Sequence, residues 1–142
     1  MDGDIIRTGL NKDLGFSPED RAENIRRISE VSKLFNLSGQ ICFVAFISPY
    51  QNDREFARKI HLDAGLPFIE CHIAASLQVC EERDVKGLYK KARAGIIPNF
   101  TGVSDPYEEP KNPEMIIDTG SKSLEQCIED VKTFLLEHKI IA

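Results

Sequence analysis

The stretch D-G-D-I-I-R at residues 2–7 sets Asp2 and Asp4 two positions apart, with Arg7 three further on. Two acids around a glycine suit a turn that offers one carboxylate to a hydroxyl or to a magnesium ion, although D-G-D is also ordinary turn chemistry. Arg21, Asn24 and Arg27 recur every third residue and share one side of a helix, a surface that is usually solvated. In ERDVKGLYKKAR, the cations Arg83, Lys86, Lys90, Lys91 and Arg93 fall within eleven residues of a chain whose net charge is -5. An isolated charge run is ordinarily a solvated helix face. Placed after an apolar run and between Gly87 and Gly95, it also suits a mobile lid closing on anions, as phosphoryl transfer requires. Phe16 in L-G-F-S-P and Phe100 in P-N-F-T-G stand among turn residues, where an aromatic ring anchors a loop or stacks on a planar base.

These groups need elements to position them. Ser17-Pro18-Glu19-Asp20 is a helix start with Ser17 as N-cap, and Ala22, Ile25, Ile28, Val31 and Leu34 then give one apolar face up to Gly39. ICFVAFIS (41–48) is a continuous apolar run expected to form a strand covered on both faces. Asn52-Asp53-Arg54-Glu55 is a capping box for a second helix, with Phe56, Ile60 and Ala64 expected inward. FIECHIAA (68–75) is a second expected strand, followed by a short helix from Ser76 to Glu82 and a helical piece over 86–95. Residues 96–113 form a proline-rich loop, EMIIDT (114–119) a third strand, and Ser123-Leu124-Glu125-Gln126 a capping box for the last helix. Its expected apolar face is Leu124, Cys127, Ile128, Val131, Phe134 and Leu135. Apolar strands alternating with helices predict a parallel α/β sheet, with ligands at the carboxyl ends of the strands.

The 142 residues fit one domain, 1–142, and the composition is that of an ordinary globular protein. The acidic balance argues against a nucleic-acid surface, and no apolar run reaches the length of a membrane span. Cys42, Cys71, Cys80 and Cys127 form no C-x-x-C pair and are expected to be reduced core thiols, and no zinc constellation is present, so no metal ligand set is assigned.

DGDIIRTGLNKDLGFSPEDRAENIRRISEV, FISPY, RDVKGLYKKARAG and NFTG, in this order and spacing, closely resemble adenylyl-sulfate kinase (APS kinase), above all the kinase domain of animal-type bifunctional PAPS synthases. The resemblance spans essentially the whole chain. It implies phosphorylation of the 3′-hydroxyl of adenosine 5′-phosphosulfate (APS) with ATP and Mg2+, giving PAPS, in cytoplasm or nucleus. It further implies Asp4 as catalytic base or magnesium partner with Asp2 supporting, and Arg7, Arg21 and Asn24 on the phosphosulfate and ribose. Phe16 and Phe100, with Asn99 beside it, would sandwich the adenine; Ile47 and Ser48 would line the pocket. Lys86 would reach APS from the lid, while Lys90, Lys91 and Arg93 would neutralise ATP phosphates. The family's D-G-D-N has Ile5 in place of its asparagine here, which removes one amide donor.

The implied fold is a three-layer parallel sheet of P-loop kinase type. The motif G-x-x-x-x-G-K-[ST] occurs nowhere in these residues, so the sequence is expected to lack the P-loop strand, its helix and the second strand, as in an N-terminally truncated kinase. Without the central strand, runs 41–48 and 68–75 must pair directly, recruit another chain or leave open edges. The expected partner is APS, with assembly as a homodimer or with a full-length subunit. The alternative expectation is a non-catalytic APS- or PAPS-binding or dimerisation module.

Overall fold

The computed structural model describes residues 1–141. The chain divides into two compact units, one made of residues 1–68 with 99–109, the other of 69–98 with 110 onwards.

In the first unit, α1 (Gly3–Ile6) is a single turn capped by Asp2, whose carboxylate accepts from the amides of Asp4 and Ile5. Helix α2 (Pro18–Leu37) begins as its sequence dictates, with Ser17 Oγ accepting from the Asp20 amide and Pro18 at the first helical position. It packs against α3 (Gln51–Leu62). Ile25, Ile28 and Ala57 are buried there beside Ser29, Ser32 and His61. The His61 ring bridges the two helices: Nδ1 donates to Ala57 O at 2.8 Å, and Nε2 lies 3.2 Å from Ser32 Oγ.

Three expectations are corrected in this unit. Asn52 does not cap α3; Tyr50 stands at the N-cap without a side-chain bond, and the first amide, Gln51 N, donates instead to Glu108 Oε2 at 2.6 Å. The inward face of α3 is Arg54, Ala57 and His61, because the two polar groups find partners in other segments, Arg54 at Ser48 O and His61 at Ser32 Oγ. Run 41–48 is not a strand. Its ladder is one parallel bridge between Asp2 and Ala45, with Ala45 N donating to Met1 O at 2.9 Å and Gly3 N to Ala45 O at 3.2 Å. The partner segment turns into α1 at Gly3, so pairing stops after one step. Ile41, Phe43, Val44 and Ile47 are accordingly exposed, as is Leu34 at the end of the α2 face.

The second unit holds β1 (Cys71–Ala74), α4 (Leu77–Arg83), α5 (Leu88–Arg93), β2 (Met115–Asp118) and α6 (Leu124–Glu137). β1 and β2 pair in parallel, Cys71 opposite Met115 through Ala74 opposite Asp118. α6 packs on β2 and opens with the full Ser123–Gln126 capping box. Helix α5 is shorter than expected, because Gly87 takes a left-handed φ of 65° and Asp84 accepts from the Tyr89 and Lys90 amides, setting the start at Leu88.

The parallel α/β class therefore stands, and among the described residues the sheet is two strands wide. Ile73 and Ile116 remain 59% and 62% exposed on opposite faces of the ladder, Ile73 beside the buried Ile117 and Ile116 beside His72, since two strands are too narrow to be covered throughout. Leu124 and Ile128 are exposed as well. Of the cysteines only Cys127 is buried; Cys42 and Cys80 are half-buried and Cys71 is exposed, so the expectation of core thiols holds for one of them.

Candidate functional site

A cavity of about 310 Å³ opens in the first unit, lined by Asp2, Asp4, Arg7, Phe16, Arg21, Asn24, Ile47 and Ser48 together with Gly3, Ile25, Ala45, Phe46 and Pro49. Its wall comes from three places in the sequence: the N-terminal turn with α1, the first turns of α2, and the segment 45–49. The Asp2–Ala45 bridge joins the first of these to the last.

Each polar group has a local reason for its position. Asp2 spends Oδ1 on the α1 amides, at 3.0 Å to Asp4 N and 3.1 Å to Ile5 N, so it fixes the turn that carries Asp4. Arg7 Nη1 donates to Leu14 O and Gly15 O at 3.1 and 2.9 Å and places its guanidinium 4.4 Å from the centre of the Phe16 ring. Burial, then the nearby Arg21 cation, lowers the Arg7 pKa from its usual value, while Asp20 and Asp4 oppose the shift. Phe16 is 58% exposed, a large aromatic kept in solvent at a cavity rim by an arginine on its face. Asn24 is buried, accepts at Oδ1 from Asn11 Nδ2 at 2.9 Å, and lines the cavity.

Arg21, 8% exposed, is held by the loop 99–105 as much as by the cavity. Its Nε donates to Phe16 O at 3.2 Å, its Nη2 to Asn99 O at 2.8 Å, and it stands 3.8 Å from Asp105. Asp105 also accepts from the Tyr50 hydroxyl at 2.7 Å. Burial and that bond push the Tyr50 pKa up to about 12. Asn99 and the half-buried Phe100 thus belong to the same unit as the cavity but lie outside its lining. Arg27, on the α2 flank, is committed to Asp13 and Glu23, and the two arginines Arg26 and Arg27 hold the Glu23 carboxyl down at about 2.

The lid cations stand in the second unit. Lys86 precedes α5; Lys90, Lys91 and Arg93 are exposed along it, and Arg93 is paired with Glu81. Tyr50, Arg54, Asp105 and Asn11 were missed by sequence reasoning. Asn11 and Asn24 lie thirteen residues apart and Tyr50 and Asp105 fifty-five, and no periodicity links such pairs.

Residues 1–118 match the profile of the family described as adenylylsulphate kinase. The chain belongs to the adenylyl-sulfate kinase family. An adenylyl-sulfate kinase of Saccharomyces cerevisiae is 57% identical over 141 residues, covering 99% of this chain and 70% of that protein. One from Acaryochloris marina is 59% identical, covering 99% of this chain and 68% of its own length. Among solved structures, the Mycobacterium tuberculosis APS kinase in complex with AMPPNP and APS superposes with a TM-score of 0.90 at 50% identity, over 96% of this chain and 78% of that one. A hexameric APS kinase from Thiobacillus denitrificans superposes at 0.68 with 28% identity, over 98% of this chain and 22% of that one. The fold is therefore the α/β fold of the APS kinases. No helix among the described residues is long and apolar enough to cross a membrane.

Proposed function

We propose that this chain acts as an adenylyl-sulfate kinase, transferring a phosphoryl group from ATP to the 3′-hydroxyl of APS to give PAPS, and that the cavity of the first unit is its APS site. The observation that carries this reading is the meeting of an exposed carboxylate, Asp4, with Arg7, Arg21, the Asn24 amide and the Phe16 ring around one opening. Asp4 accepts the proton of the ribose hydroxyl as its oxygen attacks phosphorus, and Asp2 holds Asp4 in place through the α1 cap. Arg7 and Arg21 supply positive potential for the phosphosulfate, and the adenine lies against Phe16 with Phe100 closing from the 99–105 loop. Ile47 and Ser48 form the opposite wall. Lys86, Lys90, Lys91 and Arg93 meet the phosphates of the two nucleotides.

Among the described residues no cluster of three His, Cys, Asp or Glu is gathered as a metal cage. Mg2+ needs none, since it is held by one or two carboxylates and substrate phosphates, and Asp4 fits that role. When bound, the ion neutralises charge on the transferring group.

The absence of G-x-x-x-x-G-K-[ST] from these residues favours a second reading, a module that binds APS or PAPS, or pairs with a complete kinase subunit, without turning over. Kinship with the kinase domain of animal-type bifunctional PAPS synthases, an assembly as homodimer or with a full-length subunit, and residence in cytoplasm or nucleus belong to the same proposal. The test is calorimetry with APS beside a coupled assay with MgATP on the purified 142-residue chain. APS is expected to bind under both readings; PAPS formation supports the kinase, and its absence, for want of the loop that cradles the ATP phosphates, supports the module. Failure to bind APS refutes the site assignment; robust turnover refutes the module.

A further inference from the structure

Two residues of the first unit other than glycine hold a left-handed backbone, Ser48 at φ 35° and Asn99 at φ 53°. Each has its carbonyl oxygen gripped by a buried arginine: Asn99 O by Arg21 at 2.8 Å, and Ser48 O by Arg54 Nη1 at 2.7 Å. Asparagine tolerates this conformation, but serine enters it only where its surroundings hold it there. Ser48 lines the cavity; Arg54, on α3, does not.

Arg54 does more than grip Ser48. Its Nη2 donates to Glu108 O at 2.6 Å and to Gln51 Oε1 at 2.9 Å. Glu108 N in turn donates to Pro49 O at 2.8 Å. One planar guanidinium thus fastens the wall 47–49 to the far end of the segment 99–109, the segment that also bears Phe100 and Asp105.

We propose that Arg54 is a positioning residue of the APS pocket, holding Ser48 in its strained conformation and docking the 99–109 segment so that both enter the bound geometry already formed. The proposal rests on the APS-site reading above. Binding then costs little reorganisation, which is where pre-organised sites gain affinity. A lysine keeps the charge but cannot present the two-pronged set of donors.

The test is APS calorimetry on the parent chain, Arg54→Lys, Arg54→Met, Ser48→Gly and the double variant Arg54→Lys with Ser48→Gly. Both Arg54 variants are expected to bind APS roughly tenfold or more weakly. Glycine at 48 adopts positive φ without a clamp, so the double variant is expected to recover a large part of that loss. Rescue of this kind separates positioning from general loss of packing. Affinity equal to the parent in the Arg54 variants overturns the proposal, and so does a loss that Ser48→Gly leaves untouched. Arg54→Lys carries the test if Arg54→Met does not fold. Amide exchange at Glu108 N gives a second readout: faster exchange in Arg54→Lys is expected, and unchanged exchange refutes the clamp. If the parent binds no APS, the site reading has failed, while Glu108 exchange still decides the clamp.

Discussion

Replacing Arg21 by methionine keeps most of the buried aliphatic volume and removes the guanidinium. Two charge-assisted bonds disappear, to Phe16 O at 3.2 Å and Asn99 O at 2.8 Å, and the Asp105 carboxylate loses a cation 3.8 Å away. Each bond from a charged donor is worth about 1.5–3 kcal/mol net. Part of this returns because a buried cation no longer has to be desolvated, and Asp105 keeps its bond from the Tyr50 hydroxyl. The expected loss is about 2–4 kcal/mol, a shift of about 1–2 M in the urea midpoint for a protein of this size. The chain has no tryptophan, so unfolding is best followed by far-ultraviolet circular dichroism. APS affinity should fall with it, because the Phe100 loop loses its tie to α2. A stability loss below about 1 kcal/mol with an unchanged slope would show that the carbonyl contacts carry little energy and would refute the reasoning.

Two further variants test the same geometry. Phe16→Ala removes a ring that is 58% exposed, so thermal stability should barely change. APS affinity should instead drop by about 1–3 kcal/mol, the worth of one stacked base, in calorimetry; equal affinity sinks the stacking role. Burial raises the Asp53 pKa, with Arg54 opposing and Glu108 adding, so the folded chain holds that proton more tightly than the unfolded one. Asp53 should contribute a loss of stability as pH rises from the ordinary aspartate value through the raised one, so the stability difference between the parent and Asp53→Asn should change across that window in melting curves; a difference independent of pH would refute it.

Helix starts written in local chemistry were legible: Ser17, Ser76 and Ser123 each cap the helix they announce. The misreadings share a cause. Asn52 looked like a cap, but the α3 amide was satisfied by Glu108 from fifty-seven residues away, and a distant partner leaves no trace in local sequence. Run 41–48 had strand composition, yet a strand exists only where a neighbour supplies a ladder, and the segment beside Ala45 curls into α1. The inner face of α3 was hidden because its residues are polar, and hydropathy cannot see an arginine or histidine buried with its partners in place. For the site, motifs identified polar residues that line the cavity and missed those that hold them: Asn11 behind Asn24, Asp105 beside Arg21.

The segment 99–109 joins the first unit by side chains of α2 and α3 gripping its backbone, across sequence separations of 78 and 54 residues. Residues 69–98 intervene, and closing an excursion of that length costs about 3 kcal/mol in chain entropy. Its bonds can repay that cost only after both helices are in place. Helices α2 and α3 should therefore form and dock early in folding, and the Phe100 segment should arrive last. It should also be the first piece to detach in a partial opening, so the pocket can lose one wall while the helix pair beneath it stays folded.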